Sequence, residues 1–154
     1  MSEYPIDLAC VIQQEYALNN QFDEKLAIKI YAQIIEGIIH MHKMDWVHCD
    51  LVTMEHIDIF ASGVILAQMI GGLANQHQSQ LPWKEAKHSD PLYLAFLHSC
   101  TEGSIHKHYP FSEIDQNNPL IVLLEHVLCT EHKRWSLQNI RDFISVKYDL
   151  EDTE

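Results

Sequence analysis

The chain is 154 residues long, 47% hydrophobic and 21% charged, with a formal net charge of −12, a size and balance that suit one globular domain with its own core. That negative field repels phosphate backbones and anionic lipid, which sets nucleic acid and membrane surfaces aside as partners. Cys10, Cys49, Cys100 and Cys129 contain no C-x-x-C pair, and "MSEYPIDLAC" has neither the basic nor the apolar region of a secretory leader, so reduced thiols in the cytoplasm or nucleus are expected.

Taken in chain order, the pattern is helical almost throughout. Pro5 suits a first helical residue, and Leu8, Val11, Ile12 and Tyr16 follow at helical spacing. "NNQFDEK" breaks that run. A second helix is expected from about Asp23 to His42 or Lys43, with Leu26, Ile30, Ile34 and Ile38 every four residues and Tyr31 and Ile35 beside them. "DWVHCDLV" then reads as a loop or a short extended piece. Residues 57–70 are apolar on every side, as in a core helix, and the run is too short to span a bilayer. Two glycines and a polar run end it.

The connection up to Ser89 is long enough to be functional. Asp90 and Pro91 form a cap-then-proline start for "LYLAFLHSC", and Asn118 and Pro119 repeat it before "LIVLLEHVLC". An irregular stretch, "TEGSIHKHYPFSEIDQN", lies between these two helices. Ser136 caps a last helix with Leu137, Ile140 and Ile144 on one face. The tail at 149–154 is acidic and is expected to fray. The expectation is a single mainly α domain over 1–154 with about six helices and no internal repeat.

The order of these segments carries a resemblance. "YAQIIEGIIHMHKMDWVHCDL" resembles the helix and catalytic-loop entry of the protein kinase family, whose signature is H-R-D-L-x-x-x-N. "DIFASGVILAQMIGG" resembles the buried helix that follows, "LPWKEAKHSDPLYLAFL" the loop and helix after it, and "LLEHVLCTEHKRWSLQNIRDF" the last two helices with Arg134 between them. The likeness covers nearly the whole chain, but only the helical C-lobe. It implies a truncated kinase-like C-lobe in which His48, Asp58 and Arg134 are structural anchors and Asp50 is a remnant of the catalytic base. In the family Asp58 would bond backbone near His48, and Arg134 would pair with the glutamate of A-P-E.

The machinery of phosphoryl transfer is missing around that remnant. No G-x-G-x-x-G occurs. Val52 stands where the family has lysine, and Glu55 where it has the metal-binding asparagine. No D-F-G, activation segment or A-P-E lies between Asp50 and Asp58. "LAIK", Leu26 to Lys29, imitates the strand motif V-A-I-K but falls inside a helical pattern. A lone aspartate supplies general-base help of ~10²–10⁴-fold at most, and phosphoryl transfer is otherwise positioning and electrostatics. Cys49 replaces the arginine that would engage a phosphorylated segment.

No cofactor is therefore expected. ATP and Mg²⁺ enter only under the alternative that another chain or transcript supplies the missing parts of a serine/threonine kinase. A kinase fragment without selected function is the third reading. The expected activity is protein binding, to a kinase or a kinase substrate. It would centre on Asp90, Leu92, Tyr93 and Phe96, with at least one aromatic exposed because Leu92, Tyr93, Phe96 and Leu97 do not share one narrow stripe. Arg134, lacking its glutamate, should find another carboxylate or face solvent. Trp135 reads as packing. Eleven histidines show no metal-ligand pattern: the pairs His106/His108 and His98/Cys100 are two residues apart, which does not suit one helix face.

Overall fold

Local capping chemistry sets where the helices begin. In the computed structural model, which describes residues 10, 23–44, 51–71, 83, 85–108 and 111–150, Asp23 caps α1 (Glu24–Lys43) by accepting from Lys25 N at 3.0 Å. Asp90 caps α3 (Pro91–Glu102), accepting from Leu92 N at 2.9 Å. Asn118 does the same for α4 (Pro119–Leu128), and Ser136 for α5 (Leu137–Tyr148). Gly103 ends α3 in the left-handed region at φ 65, which costs a glycine no steric energy. Among the described residues there are five α-helices and no strand, and no helix is long and apolar enough to cross a membrane.

The remaining helix, α2, runs Leu51–Gly71. It therefore starts six residues before the apolar run that announces it, and the positions expected as a loop at Leu51 and Val52 are its first turn. Glu55, which was expected in the catalytic loop, is also helical. The irregular stretch between α3 and α4 holds two single 3₁₀ turns, Ile105–Lys107 and Phe111–Glu113, and a third turn, Glu131–Lys133, joins α4 to α5.

The core is built around α4, where Leu120, Ile121, Leu123, Leu124, Val127 and Leu128 are all buried. α2 and α3 pack on it, and α1 packs on α2 and α5. Gly63 marks the tightest crossing: a Cβ there would strike Val127 and Leu128 of α4. On α1 the buried face is Ala27, Ile28, Tyr31, Ile35 and Ile38. Leu26, Ile30 and Ile34 sit on its flank. A strict four-residue row drifts by about 40° per step on a helix of 3.6 residues per turn, so this one runs along the flank and reaches the buried face at Ile38.

α2 is not buried all round. Ile57, Ala61 and Gln68 are exposed along its outer side, since a helix at the edge of the packing has nothing on that side to bury against. The acidic tail also begins differently from expectation. Asp149 takes the left-handed conformation and Leu150 packs against the core; residues 151–154 lie outside the described residues, as do the helix expected near residues 5–18, apart from Cys10, and the loop residues His48, Cys49 and Asp50.

Candidate functional site

The described anchors come together at the start of α2. Asp58 Oδ2 accepts from His42 Nε2 on α1 at 2.7 Å; the backbone near His48 that it was expected to bond lies outside the described residues. The Asp58 side chain is 33% exposed and that of His42 13%. One turn earlier, Glu55 Oε1 accepts from Leu137 N at 3.0 Å and so satisfies an open backbone donor in the first turn of α5.

Arg134 is half-buried, and among the described residues it pairs with no carboxylate. Its Nη1 donates to His56 O at 2.7 Å and its Nη2 to Cys129 O at 2.8 Å, and the guanidinium lies 5.1 Å from the centre of the Phe60 ring. One side chain thus ties α2 to the connection between α4 and α5. The planar fork with several donors makes this possible, where a lysine would reach only one carbonyl well. Lys29, the imitation strand lysine, lies exposed on α1.

The expected docking anchors are corrected. Tyr93 is 8% exposed and Phe96 0%. Residues 93, 96, 97 and 100 follow the i, i+3, i+4, i+7 spacing of a single stripe, so both aromatics and Leu97 fit the core side together. Trp83, from the preceding connection, covers them at 5.4 Å from Tyr93 and 4.5 Å from Phe96, ring centre to ring centre. Leu92, 54% exposed, and Leu94, 44% exposed, are left outside, on opposite flanks of the buried stripe. Asp90 is engaged by Leu92 N, by Tyr93 N and by Glu85 N at 3.1 Å.

A cleft of about 420 Å³ opens at the other end of α3, lined by Cys100, Thr101, Glu125, His126, Cys129, Lys133 and Trp135. Trp135 forms one wall, stacked on His126 with ring centres 4.1 Å apart and tilted against Phe143 at 5.0 Å. Burial pushes the Cys100 thiol far up from its ordinary range, with Cys129 and Glu125 adding to the effect. Burial also raises Cys129, against the pull of Arg134, so these are poorly nucleophilic thiols.

Burial raises the Glu125 carboxyl, while a hydrogen bond with the Ile105 backbone and the neighbouring His126 and His106 oppose it. Its Oε1 is closed to solvent and has no hydrogen-bond partner. Nearby, Ser99 Oγ lies 2.5 Å from His108 Nε2 and donates to Ala95 O at 3.0 Å, and burial lowers His108. Among the described residues no group of three or more His, Cys, Asp or Glu side chains is placed to hold a metal ion.

The His42 partner, the unpaired Glu125 oxygen and the cleft itself were not legible beforehand, because each joins elements distant in the chain. The one local signal was the spacing of Glu125 and His126 beside Cys129 at a helix end. No protein-family model, curated protein or solved structure matches the chain.

Proposed function

We propose that this chain is a kinase-like helical module that transfers no phosphate by itself and works by binding another protein, a kinase or a kinase substrate. The observation that carries the reading is the engagement of Arg134. Both of its terminal nitrogens donate to backbone carbonyls of the chain, and Phe60 lies beneath it. The chain's own backbone thus takes two of the donors that a kinase would give to the glutamate of an activation segment, while Nε, closed to solvent, has no hydrogen-bond partner. The helical first turn of α2 adds support: the positions of Val52 and Glu55, which a kinase gives to lysine and asparagine in an open loop, lie within a helix, and Glu55 is engaged as a cap of α5.

Protein binding draws its support from Leu92, a large apolar side chain left exposed beside a long connection. The test is recovery of partners from the source cell with wild type and with Leu92→Asp, which leaves the buried stripe of α3 intact. The reading expects a kinase or kinase substrate with the wild type and a clear loss with the variant. Equal recovery, or no such partner with either, overturns it.

A further inference from the structure

We propose that His40, Met41 and Met44, at the C-terminal end of α1, form a surface site for Cu(I), with two thioether sulfurs and one imidazole nitrogen as ligands. The proposal is independent of the protein-binding reading. It also lies outside the clusters of His, Cys, Asp and Glu described above, because methionine supplies two of its three ligands.

Met41 is 53% exposed and Met44 52%, and His40 is exposed beside them. At about 100° per residue, Met44 lies about 40° around the helix from His40, and Met41 about 100°. The three therefore share one face, opposite the buried Tyr31, Ile35 and Ile38. His40 with Met44 and Met41 with Met44 are the i, i+4 and i, i+3 pairs whose side chains are neighbours. Met44 is the C-cap, but its φ is −79 and its N–H donates to His40 O and Met41 O at 3.2 Å each, so it keeps the helical spacing.

Side chains on a helix lean toward its N-terminus, over the turn before their own Cα. The turn before these three holds Gly37, about 60° around from His40 and so between His40 and Met41. A Cβ at Gly37 would meet nothing within 4 Å. No packing contact calls for a glycine there, and its effect is open space where the three ligands converge. Thioethers are soft and polarizable on an unbranched, adaptable chain, and such ligands select Cu(I), while imidazole suits copper as well. Magnesium and calcium require oxygen ligands instead. The ion binds without change of oxidation state, and neutral imidazole and thioethers release no proton. The net charge of −12 and the carbonyl end of α1 both favour a cation here. Lys43, exposed in the same turn, opposes it from about 160° around the helix from Met41. His42 is held by Asp58 and is not a ligand.

The test is an anaerobic titration of the full chain with Cu(I), held reduced by ascorbate and followed by NMR of the methionine methyls and histidine rings. Cys10→Ser with Cys49→Ser serves as the background, because thiolates compete for the same ion. The expected result is that the Met41 and Met44 methyls and the His40 ring shift together and saturate together, while the methyl of the fully buried Met69 stays in place. Met41→Leu and Met44→Leu keep the helix and the apolar volume and remove one sulfur each. Either should weaken binding at least roughly tenfold, the lower end of what losing even a supporting group costs a metal site. Zn(II), run in parallel, should leave both methyls unmoved. Methyls that do not respond to Cu(I), titrations of both leucine variants that match the background, or an equal response to Zn(II) overturns the proposal. No partner protein is needed, so the outcome is separate from that of the recovery experiment with Leu92→Asp.

Discussion

Gly37 and Gly63, glycines within α1 and α2, should respond to alanine with opposite signs. Gly37 sits on the exposed side of α1, and a Cβ added there meets nothing within 4 Å. Gly63 is buried in α2, where a Cβ would collide with Val127 and Leu128. Alanine in place of glycine in a helix gains about 0.8–1.0 kcal/mol of propensity at either position. At Gly37 nothing opposes that gain.

At Gly63 the added methyl must displace Val127, a stiff β-branched side chain in the middle of α4, and Leu128 beside it. Overpacking of a tight core costs about 1–3 kcal/mol, occasionally more. Val127 and Leu128 are both fully buried, so neither can swing outward and the upper part of that range applies. The net expectation is a stabilisation of about 1 kcal/mol for Gly37→Ala and a loss of about 1–2 kcal/mol for Gly63→Ala. Urea unfolding of the two variants beside wild type reads both from the midpoints at constant slope. A higher midpoint for Gly63→Ala, or shifts of the same sign for the two, would refute the close crossing of α2 and α4.

Three further outcomes follow from the same contacts. Arg134→Met should lower stability by about 1.5–3 kcal/mol, the worth of hydrogen bonds to a charged group, because two carbonyls lose their donor; equal denaturation midpoints would contradict this. Asp58→Ala should cost only about 1 kcal/mol, since its pair with His42 is one-third exposed on the aspartate side, and a loss near the ~3–5 kcal/mol of a fully buried pair would show that the packing around α2 is tighter than described. Glu125 has a carboxyl raised by burial, so the folded state holds its proton more firmly than the unfolded chain. Stability from this group is present below the unfolded value of about 4.3 and falls as pH rises through the raised folded value; melts across that window should fall less steeply for Glu125→Gln, and parallel curves would contradict the assignment.

How much of this was legible in the sequence depended on the range of the interaction. Asp23, Asp90, Asn118 and Ser136 mark helix starts because a cap bonds backbone two or three residues away, and each was readable from its own neighbourhood. Packing direction was readable only where the period of 3.6 was respected. Of the row Leu26–Ile30–Ile34–Ile38 with Tyr31 and Ile35 beside it, Tyr31, Ile35 and Ile38 are buried and the other three pack on the flank. Tyr93 and Phe96 were misjudged for a related reason: Leu92 was counted into a stripe that 93, 96, 97 and 100 complete without it, and Trp83 closes over the aromatics from outside the helix.

The candidate site was least legible. Arg134 reaches His56 across 78 residues of sequence, and Glu55 reaches Leu137 across 82. Contacts of that separation leave no periodic trace. The start of α2 shows the other limit. The local pattern of "DWVHCDLV" led to an extended reading of Leu51 and Val52, while the helix already begins there.

The most direct measurement is calorimetric titration of the full chain with ATP in the presence and absence of Mg²⁺. The proposed kinase-like reading predicts no saturable heat in either case, because under it Asp50 stands without the glycine-rich loop, strand lysine and metal-binding asparagine that would clamp the nucleotide. A saturable, magnesium-dependent binding curve would contradict it and restore the catalytic reading.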